Sequence, residues 1–254
     1  MQTYYKITNE TECHNGYQYV DGLNILDKIF EQNGSCVKGG LYFTTIDHII
    51  KFLHYGINLR VITLPEDCTY VIDNNDKYRA DKIILGAKYS LTDPETWQLL
   101  VERGADILLN NNYAVQWASE YGFLAVVKFL VNKGADIRAN NDYALRMASA
   151  NGHLAIVKFL LKKGANIHAS NDVPLQWASK YGYTVVVKYL LEKGANIHAG
   201  DDFALKLASR EGHLETAQHL VENGANVCAD DNCALKLALE RGHMDVAKFL
   251  MLQC

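Results

Sequence analysis

The sequence predicts a small α+β domain over residues 1–77, followed by an all-α solenoid of helical repeats. One short motif, Gly-Ala-Asp/Asn-Ile/Val, indicates the solenoid because it recurs every 30 residues without insertion or deletion, at Gly104, Gly134, Gly164, Gly194 and Gly224. A fixed period of this size is typical of stacked repeats, in which each unit buries its apolar face against its neighbours. The first 77 residues do not repeat, and β-rich runs alternate there with apolar residues at helical spacing.

Composition and charge narrow the classes of function. The formal net charge of −4 provides no basic face, so no nucleic-acid partner is expected. No apolar run approaches the roughly 20 residues that a membrane helix needs, and the first residues lack a secretory signal pattern. The six cysteines are scattered and are interpreted as reduced thiols. We therefore expect a cytoplasmic protein that is not secreted and does not contact a membrane.

The N-terminal domain is expected to contain a mostly antiparallel sheet. Its predicted strands are Tyr4–Ile7, Leu41–Thr44, Asn58–Leu64 and Thr69–Ile72. A short helix is predicted over Leu23–Phe30, since the apolar residues at 23, 25, 26, 29 and 30 fit one helical face. A second helix is predicted over Ile46–Tyr55, with Thr44 or Thr45 as its cap and Gly56 as its stop.

Each repeat is predicted to be a helix–turn–helix–loop unit. The first helix is expected to start at an Asp or Asn that caps it with its side-chain oxygen, namely Asn112, Asp142, Asp172, Asp202 or Asn232. A glycine such as Gly152 ends the first helix, and the second helix runs, for example, over Leu154–Lys163. The final helix, Val246–Leu252, is followed by no polar capping repeat, so Leu250, Met251 or Leu252 should be partly exposed.

The repeat sequence resembles a known family. The run over 151–167, Asn-Gly-His-Leu-Ala-Ile-Val-Lys-Phe-Leu-Leu-Lys-Lys-Gly-Ala-Asn-Ile, resembles the ankyrin repeat, and so does the run over 211–226. The resemblance gives about five units over 112–254, the last one truncated, and a degenerate first unit over 78–111 in which Asp93-Pro94 caps a helix ending at Gly104. The family unit has about 33 residues. The three residues missing here fall before the first helix, so the projecting loop should be short and recognition should depend on helix faces.

The layout of the whole chain is similar to that of ankyrin-repeat proteins of giant amoebal viruses of the mimivirus group. Segments ahead of the repeats carry this likeness: Leu41–Thr45, Ile62–Pro65 and Lys77–Gly86. The resemblance implies a virus-encoded protein, acting in the host cell cytoplasm or the virus factory. It supplies no molecular activity. The repeats and the absence of catalytic motifs instead favour a monomeric, non-catalytic interaction module that binds a host or viral protein through the concave face of the solenoid.

In the ankyrin family, the residues after the Ala-Ser pair of each first helix lie on the concave face, next to the residues that open that helix. A mixture of aromatic and charged side chains is typical of interface anchors. The alternative for Tyr113, Tyr143 and Phe203 is that they fill space left by the family's missing Thr-Pro. The candidate partner-binding residues are Tyr113, Glu120, Tyr121, Tyr143, Asn151, Lys180, Tyr181, Phe203, Arg210, Glu211 and Arg241.

No motif predicts catalysis, a cofactor or a metal. The histidines at 153, 213 and 243 could be interpreted as a metal-binding column, but the family's Gly-His pair favours a structural imidazole that bonds a neighbouring loop. Gly40-Leu41-Tyr42-Phe43 resembles a strand of ADP-ribosyltransferases, so an alternative is an enzymatic or ligand-binding N-terminal domain, favoured if a pocket near Tyr42 contains Glu66 or His48. A ubiquitin-ligase substrate adaptor is a further alternative, disfavoured because Cys254 leaves no room for the F-box-like segment of such proteins.

Overall fold

A computed structural model describes residues 2–33, 39–74 and 76–253. The chain divides into two compact units. The first unit comprises Met1–Ala114 with Lys128–Ala135, and the second comprises Val115–Val127 with Asp136–Cys254.

A four-stranded antiparallel sheet forms the larger layer of the first unit. Its strands, in spatial order, are β1 (Tyr4–Thr8), β6 (Asn58–Thr63), β9 (Lys82–Ser90) and β4 (Gly22–Ile25). Tyr5 lies opposite Val61 in the β1–β6 pair, and a bulge between Arg60 and Ile62 interrupts the β6–β9 pair. The strands predicted at Tyr4–Ile7 and Asn58–Leu64 are thus confirmed to within one residue.

The other elements of this unit are shorter. A three-stranded antiparallel sheet has the order β5 (Leu41–Phe43), β8 (Lys77–Ala80) and β7 (Tyr70–Asn74). A two-stranded ribbon joins β2 (Cys13–His14) to β3 (Tyr17–Gln18). The buried core draws residues from both larger sheets and from the segment after the ribbon: Tyr4, Tyr19, Leu41, Phe43, Ile62, Ala80, Ile83 and Leu85.

The second predicted helix is present as a 3-10 helix over Ile46–Tyr55, ended by Gly56. The predicted capping is wrong, however, because Thr45 occupies the cap position without a capping hydrogen bond. Its hydroxyl instead lies 3.3 Å from His48 Nδ1. The Thr44 hydroxyl donates to the backbone carbonyl of Asp76.

The helix predicted over Leu23–Phe30 is wrong. The chain forms β4 there, with Leu23 opposite Ile84 of β9. The buried residue of this strand is Asn24, whose side chain accepts the Val20 N–H at 3.0 Å and donates to the Val20 carbonyl at 2.8 Å. Leu23 and Ile25 point to the exposed face. The spacing of apolar residues gave a wrong helix here, because the buried residue of the segment is the polar Asn24, whose side chain bonds to the backbone.

Strands also occupy part of the region that we assigned to a degenerate first repeat. Residues 77–90 form β8 and β9, so regular helix begins only with α1 (Pro94–Glu102). Asp93 caps α1 as predicted, because its carboxylate accepts the Glu95 N–H at 2.9 Å. The predicted domain boundary after residue 77 stays a prediction.

The repeats consist of paired helices. The first helices of successive repeats are α2 (Leu109–Glu120), α4 (Ala139–Ala150), α6 (Ala169–Lys180), α8 (Ala199–Arg210) and α10 (Ala229–Glu240). The second helices are α3 (Leu124–Asn132), α5 (Leu154–Lys162), α7 (Thr184–Glu192), α9 (Leu214–Glu222) and α11 (Met244–Met251). The helix predicted at Leu154–Lys163 is confirmed to within one residue.

First helices pack directly on one another, α4 on α6, α6 on α8 and α8 on α10. The Ala-Ser pairs of these helices are fully buried, as Ala148, Ser149, Ala178 and Ser179 show. The Ser149 hydroxyl donates to the Leu145 carbonyl of its own helix at 2.8 Å, so the buried hydroxyl is satisfied without a partner from the next repeat.

A left-handed turn opens every first helix. In α4, Asn140, Asn141 and Asp142 all have φ near +55°, and three residues do the same at 110–112, 170–172, 200–202 and 230–232. All fifteen of these residues are Asn or Asp except Ser170 and Gly200. Asn, Asp and Gly tolerate this region best because their side chains are short or absent.

The left-handed turn overturns the capping that we predicted for Asp142, Asp172 and Asp202. The carboxylate of Asp142 accepts the backbone N–H of Asn166, in the next repeat, at 2.7 Å. Asp172 accepts from Asn196 at 2.7 Å and Asp202 accepts from Asn226 at 2.9 Å. The turn directs these buried carboxylates away from their own helices, so they connect repeats instead of capping them.

The expectation at the last helix is confirmed. Leu250 is buried, whereas Met251 is 52% exposed and Leu252 is 83% exposed.

Candidate functional site

The ends of the first helices form a repeating surface feature. Each of these helices ends two residues before a glycine, and the same two positions recur in every repeat. Because the first helices pack in sequence, these positions lie in adjacent repeats along one side of the solenoid. We call them the helix-end row: residues 120–121, 150–151, 180–181, 210–211 and 240–241.

Two tyrosines are the most prominent apolar residues of the helix-end row. Tyr121 and Tyr181 each expose 50% of their surface. The Tyr121 ring lies 5.6 Å from Trp117 and 6.3 Å from Phe123, so neighbouring rings hold it in place. The Lys180 ammonium stands 4.9 Å from the Tyr181 ring. Both rings are therefore supported on one side and open on the other, as interface anchors are.

Charges of both signs lie beside these rings. Arg210 donates to the Glu211 carboxylate at 2.7–2.8 Å. This hydrogen bond lowers the pKa of Glu211, with smaller contributions from the charges of Arg210, Lys180 and Arg241. Lys180 and Arg241, in the repeats on either side, therefore both act on the Glu211 carboxylate. At the other end of the row, burial raises the pKa of Glu120.

The remaining predicted residues are less available. Asn151 is half-buried, and its amide donates to the Met147 carbonyl at 2.9 Å, which occupies it within its own helix. Tyr113 and Tyr143 are half-buried, whereas Phe203 is exposed. Of the eleven predicted partner-binding residues, none is fully buried, and those with exposed side chains are Tyr121, Tyr181, Phe203, Glu211 and Arg241.

One contact in the second unit was missed by sequence reasoning. The Arg146 guanidinium lies 5.1 Å from the Tyr143 ring and 5.7 Å from the Trp177 ring of the next repeat. Arg146 also donates to the carbonyls of Asn140 and Asn141, at 2.8 and 3.0 Å. It thus joins the left-handed turn to the next repeat. The only signal in the sequence was the aromatic at 143 three residues before an arginine.

The histidines after the turn glycines have the structural role that we predicted. His153 Nε2 donates to the Glu120 carbonyl of the preceding repeat at 2.9 Å, and His213 Nε2 donates to the Lys180 carbonyl at 2.9 Å. The His153 ring packs where a side chain on Gly122 would stand. The imidazoles therefore hold the backbone of the helix-end row. In the described part of the chain, no group of three or more His, Cys, Asp or Glu side chains is placed to hold a metal.

A cavity of about 810 Å³ lies in the N-terminal part of the chain. Tyr42 lines it, as the ADP-ribosyltransferase alternative required, but Glu66 and His48 do not. Its walls come from segments between Tyr5 and Lys77, and its most buried charge is Lys6. The sequence did not predict Lys6, because a lysine inside a strand is ordinarily a solvent-facing residue.

Among the described residues, no helix combines the length and the apolar character that crossing a bilayer requires.

Comparison with known proteins places these features in a family. A family model of ankyrin repeats matches three times, over residues 83–171, 140–201 and 175–254. R868 of Acanthamoeba polyphaga mimivirus, which is named for its ankyrin repeats, is 50% identical over 133 residues, covering 50% of this chain and 65% of its own length. R869 of the same virus, an uncharacterized protein, is 46% identical over 132 residues, covering 50% of this chain and 96% of its own.

A third mimivirus protein named for its ankyrin repeats, R229, is 38% identical over 142 residues, which are 46% of its length. The chain thus spans less than two thirds of both relatives that are named for their repeats. The matches of the family model together extend over residues 83–254, well over half of the sequence. The chain belongs to the ankyrin-repeat family.

Proposed function

We propose that this chain is a non-catalytic interaction module whose solenoid holds a host or viral protein on its concave face, with the helix-end row as the contact surface. Ankyrin repeats support the role of a protein-interaction module. The observation that favours the helix-end row is the pair of supported, half-exposed rings, Tyr121 and Tyr181. Aromatic side chains held in place before binding lose little conformational freedom in a complex, which makes them effective anchors.

The charges of the row indicate what the partner should offer. Lys180 and Arg241 flank Glu211, so a cation–anion–cation order faces outward beside the tyrosines. A partner segment with a basic side chain between two acidic ones, and an apolar side chain next to them for the tyrosines, would match this order, since complementary charges give specificity and speed association.

The cellular setting is part of the same proposal. The similar proteins come from an amoebal virus, so the partner would be met inside the infected host cell, in its cytoplasm or the virus factory. Among the described residues, Cys13, Cys68 and Cys233 are free thiols, which suits a reducing compartment. We propose that the chain acts there as a monomer.

The experiment is affinity capture from infected amoebal lysate with the full chain as bait. A variant with Tyr121, Lys180, Tyr181 and Arg210 all replaced by alanine should lose the partners that the wild type retains. The matched control replaces four exposed residues at the ends of second helices, Lys162, Glu192, Lys193 and Glu222, and should retain them. If both variants capture the partners equally, the helix-end row is not the contact surface.

A further inference from the structure

The cavity of the first unit has walls from five separate elements. β1 contributes Lys6, the ribbon contributes His14 and Tyr17, β5 contributes Tyr42, the 3-10 helix contributes Tyr55, and β8 contributes Lys77. All of these residues belong to one compact unit. Its volume of about 810 Å³ is within the range of pockets that hold small organic ligands, which is roughly 300–1,000 Å³.

Lys6 is the buried cation of this cavity. The residue is 5% exposed, its ammonium donates to the Tyr42 carbonyl at 2.9 Å, and it lies 4.5 Å from the centre of the Tyr19 ring. Among the described residues, no carboxylate forms an ion pair with it. Burial lowers the pKa of Lys6 to about 7. A buried ammonium without a counter-ion is costly, and a bound anion would remove that cost.

The Lys77 ammonium and the His14 imidazole line the same space. The Lys77 ammonium lies 4.4 Å from the Tyr42 ring and 3.1 Å from the Asp73 carboxylate. The pKa of His14 is lowered first by burial and then by the charges of Lys6 and Lys77. Three groups that repel one another when protonated therefore surround one cavity, and a negative charge there would stabilise all of them.

Aromatic rings make up much of the remaining lining. Tyr17 and Tyr19 meet edge to face at 4.9 Å, and His14 meets Tyr55 edge to face at 5.0 Å. Phe43 and Phe52 add apolar surface. Such walls favour a planar, apolar body, which stacks on ring faces and fills the space between them.

We propose that this cavity binds a small organic anion with a planar apolar body, whose carboxylate or phosphate pairs with the Lys6 ammonium. The aromatic walls bind the body, and Lys6, with Lys77 and His14 nearby, binds the charge. The site lies outside the helix-end row and is independent of the protein-interaction function proposed above.

Two matched pairs of probes test the charge requirement by calorimetry on the full chain. 2-Naphthoate and 2-naphthamide differ in their charge, and so do AMP and adenosine. The charged member of at least one pair should bind roughly tenfold tighter or better than its neutral counterpart, the effect of one charged hydrogen bond. A preference for naphthoate identifies a carboxylate ligand, and a preference for AMP identifies a phosphate ligand. No saturable binding, or equal binding within both pairs, would overturn the proposal.

Variants locate the charge. Lys6→Met should reduce the affinity for the charged probe by roughly tenfold or more and leave the neutral probe unchanged. Lys88→Met, an exposed lysine of the same unit outside the cavity, should change neither affinity. An unchanged affinity of Lys6→Met for the charged probe would contradict the pairing.

Proton uptake on binding tests the pairing with Lys6 in the wild-type protein. At about pH 8, an anion that pairs with Lys6 should cause uptake of up to about one proton, seen as a dependence of the binding heat on the buffer's ionisation enthalpy. The other titratable groups at the cavity are His14, Asp27, Lys28 and Lys77, with the tyrosines; burial raises the pKa of Tyr17 and of Tyr19, so both stay neutral there. Binding without proton uptake would contradict a Lys6 that is neutral before the anion binds and charged by it.

Discussion

At the residue scale, single side chains in this protein make contacts that their sequence context does not reveal. Asp172 is buried between two repeats, where its carboxylate accepts the Asn196 N–H at 2.7 Å and lies 3.1 Å from His168 Nδ1. Lys6 is buried in the other unit with a backbone carbonyl as its acceptor. Both residue types are ordinarily solvated, so burial at these positions follows from tertiary structure alone.

Replacing Asp172 tests the bond between repeats. Asp172→Ala leaves the Asn196 N–H without its acceptor and should lower the free energy of unfolding by about 1–3 kcal/mol. Asp172→Asn keeps an oxygen at that position and should cost less. Urea denaturation of the wild type and both variants measures the difference, and equal losses would show that the hydrogen bond is not the cause.

Replacing Lys6 tests the cost of its burial. The pKa of Lys6 is about 7 in the folded protein, far below that of an unfolded lysine, so the unfolded state binds the extra proton between these values. Stability should therefore rise with pH from about 7 toward 10, because in this range the folded lysine is neutral while the unfolded lysine still binds its proton. Lys6→Met removes the buried charge and should raise the melting temperature, most strongly below about pH 7. The same gain at every pH would point to packing instead.

At the element scale, helices and turns could be predicted where a sequence pattern is compatible with one local structure, and not where it is compatible with two. Gly56 and Gly152 end helices for a reason that the sequence states directly, and the bounds at these positions were predicted to within a residue. Asp or Asn before a helix has two meanings, because these residues both cap helices and tolerate left-handed backbone. The sequence could not separate the two, and the structure shows the left-handed turn.

The candidate site could be predicted only in part for a similar reason. The helix-end row follows from the repeat period, which places equivalent positions in adjacent repeats without any knowledge of side-chain packing. The cavity brings together residues that are far apart along the chain, from Lys6 to Lys77. No local pattern in the sequence predicts that these distant residues line one cavity.

The left-handed turn makes a prediction of its own at Asn141. Its side chain is exposed and its φ is +56°, so substitutions there act mainly through the backbone. Asn141→Val should lower stability by about 1–2 kcal/mol, because a β-branched residue is strained in this region. Asn141→Gly, the matched control, should have little effect. Thermal denaturation compares them; a harmless valine would show that the turn relaxes to another conformation.

At the scale of the whole molecule, the repeats should behave as a chain of nearest neighbours. Leu175 is buried in α6, the first helix that packs between α4 and α8. Leu175→Ala should cost about 2–5 kcal/mol through the cavity that it leaves. Hydrogen exchange read by mass spectrometry should then quicken in α4, α6 and α8 together. A change confined to α6 would mean that the repeats open independently.

The bonds between repeats also bear on how such genes change length. Asp142 reaches 24 residues forward, as do Asp172 and Asp202, and His153 and His213 each reach 33 residues back. The Asp bond therefore recurs at one offset in three successive junctions and the His bond recurs at another in two, with Tyr183 in place of the histidine at the junction after Gly152. A recombination event that removed or duplicated 30 consecutive codons would recreate an equivalent junction wherever it fell among the inner repeats. The solenoid can therefore lengthen or shorten in whole units, and the helix-end row would gain or lose one pair of residues with each event.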